Sequence, residues 1–425
     1  MTTIIDYALM AGASYRDTRP DTNKFPIPVG WNMVSRNPQD DATGFEAAVF
    51  GNGTTLAGSN EIVISYAGTY DKDISGDIAA DAALGLGGAS MQLLQAAEYY
   101  MQIKAANPEA VITLTGHSLG GGLASLVAVF FNETAKTFDQ APFRNAASWL
   151  RAQEVRQELA AKFPTAIYPR VSEWLAPIDR FINSFDPLGL GWSQDGLAAR
   201  KTRVTSLSVQ GEFLSALSLL RIGTELPSLT HGDYFGPMDL HSQALLSVFL
   251  QSSQSAEAAG TPSQTLGEVS KKLTDLLATI FDKALFAKDT DKDEANFLER
   301  ILRHESGVRD SATGETHLAP DAMVTRFTRD LWKLAQENGL TLTNSFIAKM
   351  LTAFAMQAYY EDTDNAKNKD KELFTVLDGG GGIRFDMADV AAKFKTAFDA
   401  GQTLKLDDAK GTVHKLHMAT LCGIA

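Results

Sequence analysis

A serine lies between glycines in Gly116-His117-Ser118-Leu119-Gly120, with the apolar run "VITLT" before it and "LASLVAVFF" after it. G-x-S-x-G in that setting is the pattern of a nucleophile on a sharp strand-to-helix turn. A strained turn lifts the serine Oγ into the open, and side chains two residues before and after it would collide, so both places take glycine. The helix that follows aims its N-terminus at the reaction centre, where the N–H of Leu119 is free to bind an oxyanion. The chemistry this allows is attack by Ser118 on a carbonyl carbon. That needs a base, an acid that orients the base and a second oxyanion donor.

In α/β-hydrolase sheets these partners follow the serine in the order acid, then histidine. The chain has seven histidines, and His231 and His241 lie after the turn and before residue 250. "GPMDLHSQALLSVFL" puts His241 between a loop and an apolar helix, so the loop can carry the imidazole across the sheet edge while the helix anchors it. His231 sits in a plain turn, "SLTHGD". His117 is too near Ser118 in sequence to act as its base. For the acid, "RVTSLSVQGEFLSAL" places Glu212 after a strand, and "FINSFDPLGLGW" offers Asp186 as the alternative. Asp233 and Asp239 also lie near His241 in sequence. "IVISYAGTYD" ends a strand at Gly68-Thr69, and Thr69 can give both its N–H and its hydroxyl to an oxyanion.

The elements that must hold these residues read as strand, helix, strand, glycine turn, helix, the grammar of an α/β fold. "EIVISYAG" and "VITLTG" are short and β-branched, as buried parallel strands are. Between them "ASMQLLQAAEYYMQIKAANP" is an amphipathic helix that stops at Asn107-Pro108. "RVTSLSV" returns to strand after a helical stretch at 146–200 that carries Trp149, Trp174 and Phe181, an expected cap or lid insertion. The polar stretch 251–265 reads as a linker. These features give an α/β-hydrolase domain at 1–250 and a mainly helical region at 266–425, with strand-turn-strand patterns in "LFTVLDGGGGIRFD" and "TLKLDDAKGTVHKL".

Composition narrows the function classes. A net charge of -13 opposes contact with nucleic acid and with anionic membranes, while leaving a lipid substrate open. Cys422 is the one cysteine, so neither an intrachain disulfide nor a thiolate cage for a metal can form. No apolar run reaches the ~20 residues that span a bilayer. The opening "MTTIIDYALMAGASYRD" lacks the basic start of a secretory signal peptide. No cofactor is expected. "DTDKDEANFLER", from Asp289, begins like a calcium loop but has no glycine at position six and ends on Arg300, leaving at most weak calcium binding. The runner-up reading is a silent hydrolase fold that serves as an interaction or targeting module.

These residues resemble the class 3 lipases, the fungal and bacterial triacylglycerol lipase and phospholipase A1 group within the α/β-hydrolases. "GHSLGG" at Gly116–Gly121 stands as in that family, "YAGT" at Tyr66–Thr69 takes the place of its F-R-G-T/S oxyanion motif, and "TFDQAPF" takes the place of its strand ending TFGAPR. Ala67 replaces the family arginine, and Glu212 would stand where the family has an aspartate, so Asp186 stays open. The resemblance implies a lipid acyl ester as substrate and transient contact with a lipid surface. "YALMAGASYRDTRPDTNKFPIPVGW" resembles the bacterial branch, some members of which leave by type I secretion. That implies export without an N-terminal signal, with a cytoplasmic location as the alternative. Triacylglycerol and phospholipid are not separated by these residues.

Overall fold

Seven strands lie side by side in the order of the chain: β1 (Asn32–Arg36), β2 (Ala47–Gly51), β3 (Glu61–Tyr66), β4 (Val111–His117), β5 (Thr134–Phe138), β6 (Val204–Leu207) and β7 (Thr224–Glu225). The first three pair antiparallel, and β3 to β7 are parallel. The computed structural model describes residues 2–16, 26–38, 43–68, 88–185, 196–229, 235–258 and 299, together with six short strands farther along the chain.

Parallel neighbours need crossovers, and these are supplied by α2 (Gly88–Ala106), α3 (Leu119–Phe131), α4 (Trp149–Lys162) and α5 (Val171–Asn183), with the short α6 (Leu197–Arg200) before β6. Right-handed crossovers in a sheet of sequential order place successive helices on one face. The side chains agree with that rule. Val49, Ile62, Ile64, Tyr66 and Leu114 share one core with α2 to α5. The alternate residues Ala48, Phe50 and Val63 share another with Met10 and Ala13 of α1 (Ile4–Ala13). Period-two alternation thus sends the side chains of β2 and β3 into two separate apolar layers. A capping box starts α1, with Thr3 N–H donating to Asp6 Oδ2 at 2.7 Å and Asp6 N–H to Thr3 Oγ1 at 3.4 Å.

Helix α3 is buried along its whole length. Each large apolar side chain such as Leu126 or Phe130 contributes roughly 1.5–3 kcal/mol by leaving water. Its last carbonyls, out of reach of solvent, meet a buried guanidinium. Arg200 donates from Nη1 to the carbonyls of Val129 (2.7 Å) and Phe130 (2.9 Å), and from Nη2 to that of Pro177 (2.7 Å). A cation at a helix C-terminus also complements the helix dipole.

Within the expected cap or lid insertion at 146–200, α4 and α5 pack in the layer that covers the sheet. Val155 and Leu159 of α4 and Ile178 and Phe181 of α5 lie in the same core as α3, so these two helices belong to the crossover between β5 and β6. Trp174 is buried there, while Trp149 is exposed at the start of α4. The expected linker at 251–265 lies in part outside the described residues. Helix α7 (Gln243–Ala258) includes its first eight residues, where serine, glutamine and alanine sustain a helix.

The chain divides into two units, 1–228 with 237–243, and 229–236 with 244–425. The first holds the sheet. Within the second, three hairpins are described: Gly307–Arg309 with Thr316–Leu318, Phe374–Val376 with Ile383–Phe385, and Lys405–Asp407 with Val413–Lys415. The two strand-turn-strand patterns read from the sequence correspond to the last two. The helical patterns expected after residue 266 and the loop at Asp289 lie outside the described residues. Among the described residues, no helix is long and apolar enough to cross a membrane.

Candidate active site

Strand β4 ends at His117 and α3 begins at Leu119, so the chain reverses at Ser118, which has φ 57° and ψ −127°. A non-glycine residue in that region is strained and is held there by its neighbours. Ser118 N–H donates to the Phe138 carbonyl (3.0 Å), and its own carbonyl accepts from Ala141 N–H (2.9 Å) and Gly122 N–H (3.1 Å). The tightness of the bend explains the flanking glycines. A Cβ on Gly116 would lie 2.5 Å from the Gly120 carbonyl, and one on Gly120 would overlap the carbonyl of Tyr66.

The turn brings Ser118 to two residues far away in sequence. His241 Nε2 is 2.8 Å from Ser118 Oγ, and His241 Nδ1 is 2.9 Å from Glu212 Oε2. The carboxylate only accepts, so Nδ1 carries the hydrogen, and Nε2 keeps its lone pair towards the serine hydroxyl. His241 closes a single turn of 3-10 helix, Asp239–His241, directly before α7. Phe213 packs its ring edgewise against the imidazole, with centroids 4.5 Å apart. Glu212 follows β6 through a tight turn in which Gly211 takes φ 81° and Glu212 N–H donates to the Val209 carbonyl at 3.3 Å.

Glu212 is buried and surrounded by donors. Its Oε2 accepts from Leu214 N–H at 2.8 Å, and its Oε1 accepts from the guanidinium of Arg221, which is buried too. Arg221 Nε in turn donates to the Gln140 carbonyl at 3.0 Å. Burial pushes the Glu212 carboxyl up. The bond to His241, the charges of His241 and Arg221 and the Leu214 N–H outweigh it, so the group is held below the usual carboxylate range. A charged acid bonded to an imidazole that is oriented towards a serine is an arrangement able to take a proton from that hydroxyl.

His117 has a partner the sequence did not disclose. Its Nε2 is 2.9 Å from the backbone carbonyl of His241, and its Nδ1 is 3.1 Å from the hydroxyl of Tyr15. The carbonyl only accepts, so the hydrogen sits on Nε2 and the Tyr15 hydroxyl donates to Nδ1. Burial first, then the neighbouring charge of His241, push the His117 imidazole well below its ordinary range, against a smaller opposing effect of its bond to the His241 carbonyl. It is therefore neutral near pH 7, as the two hydrogen bonds require.

Asp139, directly after β5, also comes to this place. It is fully buried, has φ 40°, and accepts from Val209 N–H on Oδ1 at 2.9 Å. His117, Asp139 and His241 each offer a ligand-type atom, all within 4.8 Å of one another. Both ring nitrogens of both histidines are committed to the bonds given above, so a cation would have to break them.

Of the oxyanion candidates, Leu119 is the first residue of α3, where an N–H has no acceptor earlier in the helix. Thr69 lies outside the described residues, as do the alternative acid Asp186 and His231. Gly68, just before Thr69, is at the turn: a Cβ built on it would lie 3.2 Å from that of Ser118. Asp239 shares the turn of His241, its carbonyl accepting from Ser242 N–H at 3.2 Å. Tyr15, Arg221 and Asp139 were missed by sequence reading. For Asp139 there was a usable signal, an aspartate closing the strand that follows the serine turn.

Residues 7–169 match a family of phospholipase-like proteins, described as the Tle-like phospholipase domain. The matched stretch runs from within α1 to just before α5 and contains Tyr15, His117, Ser118 and Asp139. This chain is thus similar over that stretch to phospholipase- and lipase-like hydrolases, and the likeness points to lipid-ester hydrolysis. A search of curated proteins gives no match.

Proposed function

We propose that the protein is a serine carboxylic-ester hydrolase of the α/β-hydrolase type that cleaves acyl esters of glycerophospholipids, with triacylglycerol as the alternative substrate. Ser118 Oγ attacks the ester carbonyl carbon while His241 Nε2 takes its proton. Glu212 holds Nδ1–H and stabilises the imidazolium. The N–H of Leu119, with Thr69, receives the oxyanion. His241 returns the proton to the leaving alcohol, and water then releases the acyl group from Ser118 by the same route in reverse.

The observation that carries this reading is the pair of hydrogen bonds Ser118–His241–Glu212, at 2.8 and 2.9 Å. The "GHSLGG" likeness to class 3 lipases and the phospholipase-like match support it, and the match favours phospholipid over triacylglycerol. Exposed Leu219 and Met238, on the segments that carry Arg221 and His241, give those segments an apolar edge suited to acyl chains. A net charge of -13 favours zwitterionic over anionic lipid surfaces.

The test is fatty-acid release from phosphatidylcholine vesicles and from tributyrin, alongside labelling by a fluorophosphonate. Labelling of Ser118 and a loss of more than about 10³-fold in Ser118→Ala support the reading. An unlabelled wild type, or an active Ser118→Ala, overturns it. Faster release from tributyrin moves the substrate to triacylglycerol.

A further inference from the structure

Three adjacent parallel strands deliver a polar residue just beyond their C-terminal ends: Ser118 after β4, Asp139 after β5 and Glu212 a short turn after β6. Two of these are accounted for by the reading above. The third is built into the same framework. Asp139 N–H donates to the Leu207 carbonyl at 2.9 Å, and Asp139 lies between Phe138 and Ala141, both bonded to the backbone of Ser118. Its backbone takes φ 40°, strain of the kind that gathers at functional sites. Its Oδ2 is buried and has no hydrogen-bond partner among the described residues. One of its carboxylate oxygens lies within 4.8 Å of a ring nitrogen of His241.

We propose that Asp139 is a reserve acid for His241, able to supply the negative charge beside the imidazole when Glu212 cannot. This rests on the Ser118–His241–Glu212 reading. The groups that face Asp139 are Glu212, Arg221, His241 and the neutral His117. Burial and the charge of Glu212 push the Asp139 carboxyl well above its usual range, against the opposing effects of Arg221 and the Val209 N–H. The pocket thus holds one negative charge on two carboxyl groups, and it rests on Glu212. Neutralising Glu212 removes the repulsion and leaves the Arg221 guanidinium only its longer pairing with the half-exposed Glu225, at 3.7 Å. Asp139 then releases its proton to solvent, and the pocket keeps the same net charge.

A purely structural Asp139 would need only to accept from Val209 N–H, which the carbonyl oxygen of an asparagine does equally well. That difference makes the proposal testable on the full chain with a soluble p-nitrophenyl ester. The four forms to compare are wild type, Asp139→Asn, Glu212→Gln and the double variant. Glu212→Gln is expected to fall by about 10²-fold, short of the ~10⁴ that follows loss of an orienting acid. Asp139→Asn is expected to cost at least about tenfold more in the Glu212→Gln background than in wild type, since only there is its charge in use. The residual activity of Glu212→Gln should rise with pH through an ionisation that the double variant lacks. Equal costs in both backgrounds, with Ser118→Ala silent, overturn the reserve role and leave the triad standing. An active Ser118→Ala overturns the triad itself. Should Glu212→Gln not fold, the infrared difference between wild type and Asp139→Asn decides. A protonated-carboxyl band at neutral pH supports the proposal, and a carboxylate band overturns it.

Discussion

His117 grips the backbone of His241 and packs against its ring: Nε2 of the first is 2.9 Å from the carbonyl oxygen of the second, across 124 positions of sequence, and the ring centroids are 4.8 Å apart. The residue beside the serine thereby fixes the turn that presents the base to it.

That relationship predicts the behaviour of two variants. His117→Phe removes the donor to the His241 carbonyl and the acceptor for Tyr15. Loosening the imidazole by about 1 Å can cost on the order of 10² in rate, so kcat on a soluble ester should drop about 10–100-fold with little change in KM. His117→Gln keeps a donor and an acceptor and should recover most of the loss. Steady-state kinetics of both variants check this, and equal impairment would contradict it.

His117 also makes stability depend on pH. Its folded form resists protonation, whereas in the unfolded chain it titrates near the ordinary histidine value of about 6.5. Its contribution is therefore fully present above pH 6.5 and is lost as pH falls towards the depressed folded value. One group gives a slope of at most about 1.4 kcal/mol per pH unit. Urea unfolding at a series of pH values below 6.5 should show wild type weakening as pH falls, with a shallower slope in His117→Gln.

Arg221 and Glu212 are an ion pair out of contact with water. Arg221→Met leaves the carboxylate uncompensated, and such a break costs about 3–5 kcal/mol. It also removes one of the influences that hold Glu212 low. The acid limb of the kcat/KM profile should therefore shift to higher pH, alongside a lower unfolding midpoint. A lower midpoint with an unmoved acid limb would mean that the arginine has a structural role alone.

Arg200 offers a contrast, since its guanidinium serves the far end of α3. Arg200→Met strips buried carbonyls at 129, 130 and 177 of their charged donor, at about 1.5–3 kcal/mol for a hydrogen bond of this kind. Urea unfolding should record that loss, while activity well below the unfolding midpoint stays near wild type.

Much of the sheet was legible because its signals are local. "EIVISY" and "VITLTGH" are strands β3 and β4, and "VTSL" is β6. Asn107-Pro108 follows directly on the end of α2, and Gly116 and Gly120 flank the bend as expected. His241 and Glu212 could be picked out because each lies at the edge of an apolar element. Asp139, Arg221, Arg200 and Tyr15 have no such mark. Their partners lie about 70 or more positions away for three of them, and Arg221 reaches Glu212 only because a 3-10 turn folds between them. Helix α1 was passed over because its apolar residues do not form a single stripe. Most of them are buried.

The pairing of β4 with β5 matches Thr113 to Thr134 and His117 to Phe138, and β5 to β6 matches Ala135 to Val204 and Phe138 to Leu207. The sheet works as a ruler whose marks end together at the reacting groups. Deleting one residue inside 111–117 would slide every mark and swing the hydroxyl to the wrong side. Loss of one from the exposed bend at 52–58 would cost far less. Tolerance to changes in length is therefore set by distance along a strand from its final rung.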